Sequence, residues 1–223
     1  MENNSPGSRA YRAKEKTIVR KIPVKNVIAS ACFGALLLPI SANAVEVAPV
    51  SGESTPLKVG ETRTSVRLRD GKPVEQTGKR IDRDTLEIVR GDGCTWSRAV
   101  EDIYGPNLSW NNCSKGAWGT GKAYDFKKSG QLWPLAVGNK VEYRFVTENS
   151  KGKKNRKAFR KCEVAGTEMV SAGGKDYPTY RVECTEHSGS RVYHYSPEAR
   201  TTVSMVRKHK KRGTMTMEYQ RDL

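Results

Sequence analysis

The sequence lacks the short motifs that mark the common catalytic sites. It contains no H-E-x-x-H, G-x-S-x-G, C-x-x-C or Walker motif, and no two carboxylates stand out as an acid–base couple. The three histidines are His187, His194 and His209. A metal site near His187 and His194 would need a third ligand, such as Glu183 or Glu186. These absences favour a non-enzymatic protein without metal or cofactor, and an active site built from distant residues is the less favoured alternative.

Long apolar runs are missing as well. The most apolar stretch, 27–40, has 14 residues, whereas a membrane-spanning helix needs about 20. It follows a segment with seven Lys/Arg and two Asp/Glu and precedes Ser41-Ala42-Asn43-Ala44. A basic segment, a short apolar run and an A-x-A site predict a cleaved export signal over 1–44, with cleavage after Ala44.

The mature chain is therefore expected to be periplasmic or secreted, with no transmembrane span. Residues 45–60 are predicted to form a flexible leader. Cys32 leaves with the signal, so the mature chain keeps four of the five cysteines. An even number of cysteines in an exported protein predicts disulfides. Four cysteines allow three connectivities, and proximity in sequence favours Cys94–Cys113 with Cys162–Cys184.

The stretch between the last two cysteines predicts a β-hairpin closed by a disulfide. Ala172-Gly173-Gly174 supplies a turn between two β-prone runs. If the turn is centred on Gly173, Cys162 falls directly opposite Cys184. Opposite residues of antiparallel strands have Cβ atoms roughly 4.5–5.5 Å apart, close to what a disulfide needs. The same register pairs Val164 with Val182, Gly166 with Tyr180 and Val170 with Asp176.

No segment has the period of a long amphipathic helix, and glycine and proline are spread along the chain. This pattern predicts an all-β fold: an antiparallel meander sheet, a sandwich or a partly closed barrel. We expect one β-rich domain over 61–223, with possible subunits 61–131 and 132–223. The second of these predicts six strands, at about 140–147, 156–165, 177–187, 191–196, 201–207 and 214–220.

Three segments resemble a known type of domain. These are LWPLAVGN at 132–139, the CEVAGTE…AGGKDYPTYRVEC hairpin, and VYHYSPE at 192–198. Together they resemble uncharacterised exported β-domains of proteobacteria, domains of unknown function with a DUF3108-like pattern. The resemblance covers about 132–223. It implies a β-sheet fold and an envelope location, and it carries no known catalytic residue to this chain.

Basic charge is the most prominent feature of the sequence. The formal net charge is +16, and it falls to +11 without residues 1–44. Two runs, 151–161 and 207–212, hold seven and five cations, so the rest of the mature chain is close to neutral. A basic exported protein implies anionic partners: an envelope polymer, a lipid headgroup, an acidic protein or, non-specifically, nucleic acid. The alternative is that the runs are solvated hairpin tips that prevent aggregation of sheet edges.

The meander places these two runs together. Successive connections alternate between the ends of such a sheet, so 150–155 and 208–213 should lie at one end, on either side of Ser188-Gly189-Ser190. We call the predicted anion-binding residues of the two runs the cationic rim. They are Lys151, Lys153, Lys154, Arg156, Lys157, Lys208, Lys210, Lys211 and Arg212.

Tryptophans provide the second candidate site. Trp96, Trp110 and Trp118 cluster around the first cysteine pair. They are either packed on the disulfide and the sheet, or form a stacking platform for sugars or bases. The region around Trp96 and Trp110 also supports an alternative function, a protein-interaction module such as an inhibitor or an envelope assembly factor.

Overall fold

The computed structural model describes Val45, Val47 and residues 57–222. The predicted export signal at 1–44 and most of the predicted leader lie outside the described residues. Within the described part of the chain, no helix is long and apolar enough to cross a bilayer.

The described residues form twelve antiparallel strands and one turn of 3-10 helix, Ala117–Gly119. The strands are β1 Thr62–Arg69, β2 Lys72–Arg80, β3 Thr85–Arg90, β4 Thr95–Ala99, β5 Ser109–Asn111, β6 Gly121–Gly130, β7 Lys140–Asn149, β8 Lys154–Ala172, β9 Lys175–Glu186, β10 Gly189–Ser196, β11 Thr201–His209 and β12 Gly213–Asp222. Each strand pairs with its neighbours in sequence, and β12 pairs with β1, which closes the sheet into a barrel. The predicted all-β fold is thus confirmed, and its closed form is neither the sandwich nor the partly closed barrel.

The six strands predicted after residue 132 correspond to β7–β12. Strand β8 is 19 residues long, longer than predicted, because it continues through Gly166 up to the turn. In β9, buried Val182, Cys184 and Glu186 alternate with exposed Glu183 and Thr185, as expected for a strand with one buried face.

Both predicted disulfides are present. Cys162 and Cys184 are direct cross-strand partners with Cα atoms 4.1 Å apart. Cys94 and Cys113, with Cα atoms 4.4 Å apart, lie where β4 begins and just after β5 ends.

The predicted hairpin register is correct at the cysteines and wrong nearer the turn. The turn contains Gly173 and Gly174, with φ of 60° and 78°, so that Ala172 pairs with Lys175. Positive φ at both central residues is typical of a two-residue type I′ turn. A β-bulge between Val164 and Gly166 restores the cysteine register. Consequently Gly166 pairs with Arg181 rather than Tyr180, and Val170 with Tyr177 rather than Asp176.

The strand connections alternate between two ends of the barrel. At the rim end lie the connections 70–71, 91–94, 112–120, 150–153, 187–188 and 210–212. At the far end lie 81–84, 100–108, 131–139, 173–174 and 197–200. Strands of the two predicted subunits, 61–131 and 132–223, belong to the same closed sheet.

The hydrophobic core occupies one side of the barrel interior. Two far-end connections contribute Tyr104, Leu132 and Leu135 to it, each 2% exposed or less. They pack on the inner faces of β7–β10, where Val164 and Val182 are fully buried. A second, smaller cluster joins Ala172, Tyr177 and Val203. Space remains along the wall opposite the main cluster.

Candidate anion-binding site

The space beside the core is a cavity of about 1380 Å³. Its lining extends from the rim-end connections to Leu57 and Arg80 at the far end. The inner faces of β1–β4 and β10–β12 form much of its wall. A typical small-molecule site measures about 300–1,000 Å³, so this cavity has room for an extended ligand.

The lining of the cavity is strongly cationic. Among the described residues that form it are 17 arginines and lysines but only two carboxylates, Glu186 and Asp222. Inward positions of a barrel usually carry apolar side chains that fill the interior. Here β1 instead places Arg63, Arg67 and Arg69 on the cavity side, around the buried Ser65.

Three arginines near the rim end share one carboxylate, and we call them the lumen arginine cluster. Glu186 accepts from Arg160 at 2.6 Å and from Arg191 at 3.1 Å, and Arg207 lies 3.5 Å away. Ser188 Oγ also donates to Glu186, at 2.8 Å. The cluster and its carboxylate therefore carry a net charge of two positive units.

The pKa values of this group reflect its charge imbalance. Burial opposes ionisation of Glu186, but Arg191 and Arg160 outweigh it and hold the pKa of this carboxyl far below its usual range. Burial lowers the pKa of Arg207 to about 10, and the neighbouring charge of Arg191 acts in the same direction. Glu186 is thus firmly ionised, while Arg207 is cationic in surroundings that do not fully compensate it.

The position of Arg160 is set by its backbone partners. Its Nη1 donates to the carbonyl oxygen of Tyr104 at 3.1 Å and also to that of Gly105. The side chain is only 7% exposed. Arg191 and Arg207 are more accessible, with side chains 19% and 29% exposed. Arg160 is therefore fixed by the backbone, whereas the guanidinium groups of Arg191 and Arg207 are accessible from the cavity.

A second cationic level lies deeper in the barrel. Arg67 donates from Nη1 to the carbonyl oxygen of Thr202 at 2.8 Å and from Nη2 to Thr201 Oγ1 at 3.2 Å. Its guanidinium also lies over the ring of Tyr219, 5.6 Å from the centroid. Burial lowers the pKa of Arg67 to about 10, and Arg98 adds to this effect. The cavity thus presents positive charge at two depths.

The cationic rim residues lie at one end of the barrel, on the connections 150–153 and 210–212 or the strands beside them. Hydrogen bonds tie this end together: Lys210 N donates to Ser188 O at 2.9 Å, and Arg212 Nη2 to Ser114 Oγ at 3.4 Å. Seven of the nine rim residues line the cavity mouth. Lys151 and Lys208 are not among them; Lys208 alternates with inward-facing Arg207 and His209 and so points to the outer face.

The tryptophans lie at the same end. Trp96 on β4 and Trp110 on β5 are direct cross-strand partners, and both line the cavity. Trp110 Nε1 donates to the carbonyl oxygen of Trp118 at 3.0 Å, and Trp118 is 40% exposed. In a closed order of twelve strands, β4 stands opposite β10. An aromatic wall therefore faces the wall that carries Arg191.

His187 lies in the rim-end connection 187–188, whereas His194 lies within β10, six positions beyond the end of that connection. His194 Nε2 lies 2.8 Å from Glu168 Oε1. His209 Nδ1 accepts from the backbone N–H groups of Lys211 and Arg212 at 3.0 and 3.2 Å. His187 lines the cavity. Among the described residues, no group of three or more His, Cys, Asp or Glu side chains is placed to hold a metal ion.

Reasoning from the sequence missed the arginines inside the barrel. In the sequence, Arg160 and Arg207 belong to the two basic runs, and the inward arginines of β1 belong to neither run. A signal was present, because Arg63, Arg67 and Arg69 all fall on one face of a period-2 strand. That face could be recognised as internal only after the barrel had closed.

The fold and the site together define a closed antiparallel β-barrel with a cationic interior. No protein-family model and no curated protein sequence matches the chain. The solved structures that are similar to the chain include two of low identity. The hypothetical lipoprotein YmcC from Escherichia coli K12 is 9% identical, with a TM-score of 0.44, over 71% of this chain and 83% of that one.

The second structure is a candidate exported protein with a YmcC-like fold from Bacteroides fragilis. It is 15% identical, with a TM-score of 0.34, over 77% of this chain and 99% of that one. The first neighbour is thus named a hypothetical lipoprotein, and the second a candidate exported protein. The narrower resemblance to the DUF3108-like pattern stays a prediction.

Proposed function

We propose that this protein is a non-enzymatic envelope protein that binds anionic polymers or lipid headgroups through its cationic rim. The observation that carries the proposal is the convergence of two basic connections, 150–153 and 210–212, at one end of the barrel. Export is supported by the signal-like pattern of residues 1–44 and by two disulfides, which persist in oxidising compartments.

The rim suits a polymer better than a single small ion. Lys153, Lys154, Lys210 and Lys211 are all exposed, and each isolated surface charge attracts an anion only weakly in water. Several charges at one end add up along a chain of phosphates or carboxylates. Binding of this kind falls steeply with salt, because the exposed charges are screened and counterions are released.

A second candidate function is recognition of a protein partner by the tryptophan region. Trp118 is 40% exposed at the rim end, beside Trp110, and tryptophan is enriched at the energetic centres of interfaces. Such binding would persist at high salt and be weakened by Trp118→Ala. An acidic protein that used the cationic rim would instead be released by salt.

The rim is tested by removing four of its charges. We expect the variant with Lys153, Lys154, Lys210 and Lys211 all changed to Gln to elute from immobilised heparin at a much lower salt concentration than the unchanged protein. It should also lose low-salt binding to vesicles that contain anionic lipid. Because these side chains are exposed, its melting temperature should stay nearly unchanged.

A matched control removes four exposed charges from the other half of the barrel: Lys58, Lys79, Arg83 and Lys127 changed to Gln. This variant has the same net charge as the rim variant and should keep most of the binding. Equal weakening in both variants would mean that net charge alone is responsible. Undiminished binding by the rim variant would leave the rim as a solvated edge and favour the tryptophan region.

A further inference from the structure

We infer that the barrel interior is a second, separate binding site, in which the lumen arginine cluster binds a short oligoanion that carries phosphate or carboxylate groups. This site differs from the cationic rim in depth, burial and the length of ligand that it takes. It does not depend on the rim being a polymer-binding surface.

The first support is the imbalance of charge within the cluster. Arg160, Arg191 and Arg207 surround the single carboxylate of Glu186, at 2.6, 3.1 and 3.5 Å. Removing guanidinium groups from water is costly unless anions compensate them. An entering phosphate or carboxylate would supply the missing negative charge, and guanidinium binds both groups with two parallel hydrogen bonds.

The second support is accessibility. Arg191 and Arg207 retain 19% and 29% exposure of their side chains, and both line the 1380 Å³ cavity. The cavity mouth is ringed by rim cations, which raise the local concentration of anions at the entrance. An anion can therefore reach the cluster from the rim end.

The third support indicates that the ligand carries more than one charge. Arg67 provides a second, half-buried cation at a deeper level, held by Thr201 and Thr202. Both levels line one cavity of about 1380 Å³, which as a whole is larger than a typical small-molecule site. A short chain with spaced anionic groups would meet both levels, whereas one inorganic phosphate ion would occupy only one of them.

The wall that faces Arg191 also suits a chain of ring units. Trp96 and Trp110 lie side by side on β4 and β5 and line the same cavity. Aromatic side chains provide flat surfaces on which rings stack.

The two sources of anionic groups, phosphate and carboxylate, are told apart by the probes in the test.

The test is calorimetric titration at physiological salt with inorganic triphosphate, trigalacturonate and neutral maltotriose. We expect one of the two anionic trimers to bind with a stoichiometry of one, and maltotriose not to bind. Tighter binding of triphosphate identifies phosphate as the preferred group, and tighter binding of trigalacturonate identifies carboxylate. Absence of binding by both anionic trimers would overturn the inference.

Two substitutions in the cluster should act in opposite directions. Arg207→Gln removes a charged hydrogen-bond donor and should lower the affinity for the preferred trimer about tenfold or more. Glu186→Gln removes the internal carboxylate that competes for the arginines and should raise the affinity for the same trimer several-fold. If neither substitution changes the affinity, the trimer is bound elsewhere and the inference fails.

The rim variant separates this site from the proposed function. With Lys153, Lys154, Lys210 and Lys211 changed to Gln, heparin binding should be lost, whereas the trimer should lose less affinity than Arg207→Gln causes, because the lumen arginine cluster is intact. Loss of both together would mean that the rim alone binds anions. Should Arg207→Gln fail to fold, judged by circular dichroism, Arg67→Gln replaces it. That variant should bind the trimer more weakly than the unchanged protein and bind inorganic phosphate equally well. If the variant and the unchanged protein bind the trimer with the same affinity, the two-level site is refuted.

Discussion

Glu186 connects the stability of the barrel to the charge in its interior. It is 9% exposed, forms ion pairs with three arginines and accepts a hydrogen bond from a serine hydroxyl. Removing one partner from a buried group of charges typically costs about 3–5 kcal/mol, because the remaining charges stay buried and uncompensated. The same residue therefore stabilises the fold and limits the positive charge available to a ligand.

Glu186 gives a prediction about acid stability. The pKa of Glu186 in the folded protein is held below the ordinary value of 4.5, so its contribution is fully present above about pH 4.5 and is lost as the pH falls further. We expect Glu186→Gln to lower the melting temperature at pH 7 and to flatten its fall between pH 5 and pH 3. Thermal unfolding followed by circular dichroism across this range measures both effects.

Comparing the Glu186→Gln variant with the unchanged protein isolates the effect of Glu186. Other carboxyl groups with lowered pKa values, such as Asp92 and Glu142, are present in both proteins. Parallel curves for the two proteins, separated by a constant interval, would show that the ionisation of Glu186 contributes nothing to the acid sensitivity.

At the scale of elements, the β8–β9 hairpin shows how a turn and a bulge determine the register together. The turn at Gly173 and Gly174 shifts the pairing by one residue, and the bulge near Gly166 shifts it back. Without the bulge, one strand would present its other face to the core. The cysteine pairing was predictable because the shift at the turn and the opposite shift at the bulge cancel before the chain reaches Cys162.

The two turn glycines provide a matched pair for a prediction about the element. Both have positive φ, which costs a non-glycine residue about 1–2 kcal/mol. A Cβ at Gly174 would meet nothing within 4 Å, whereas one at Gly173 would lie 3.0 Å from the carbonyl oxygen of Gln220 and 3.2 Å from that of Tyr219. We expect Gly174→Ala to destabilise the protein by about 1–2 kcal/mol and Gly173→Ala by clearly more, measured by urea unfolding. The opposite order would contradict the packing of this turn against β12.

At the scale of the whole molecule, the closed sheet determines where the charge accumulates. Pairing of β1 with β12 removes the sheet edges, so the basic runs are not needed to protect an edge strand. Seven of the nine rim residues and the inward arginines instead line the same cavity. This arrangement favours anion binding over the reading of these runs as guards against aggregation.

Export gives a prediction for the whole chain. We expect the protein recovered from an exporting cell to begin at Val45 and to have all four remaining cysteines in disulfides. Intact-mass analysis with and without reduction, after blocking of free thiols, would show both features. A membrane-bound species that retains residues 1–44 would contradict the predicted cleavage.

The sequence by itself determined the strand-rich character, the six C-terminal strands and both disulfides. These features depend on signals that lie close together in the chain: alternation with period 2, glycine turns and cysteines at matching distances from a turn. The placement of the two basic connections at one end also followed from the sequence, because a meander alternates its connections whatever its final curvature.

Only the tertiary structure decided that the sheet closes and what its interior contains. Arg67 on β1 donates to Thr202, 135 residues further along the chain, and the lumen arginine cluster joins β8, β10 and β11 around a carboxylate of β9. Closure depends on the twist and stagger accumulated over twelve strands, which no local pattern specifies. For the same reason, the arginine-bearing face of β1 could be assigned to the interior only after β12 had paired with it.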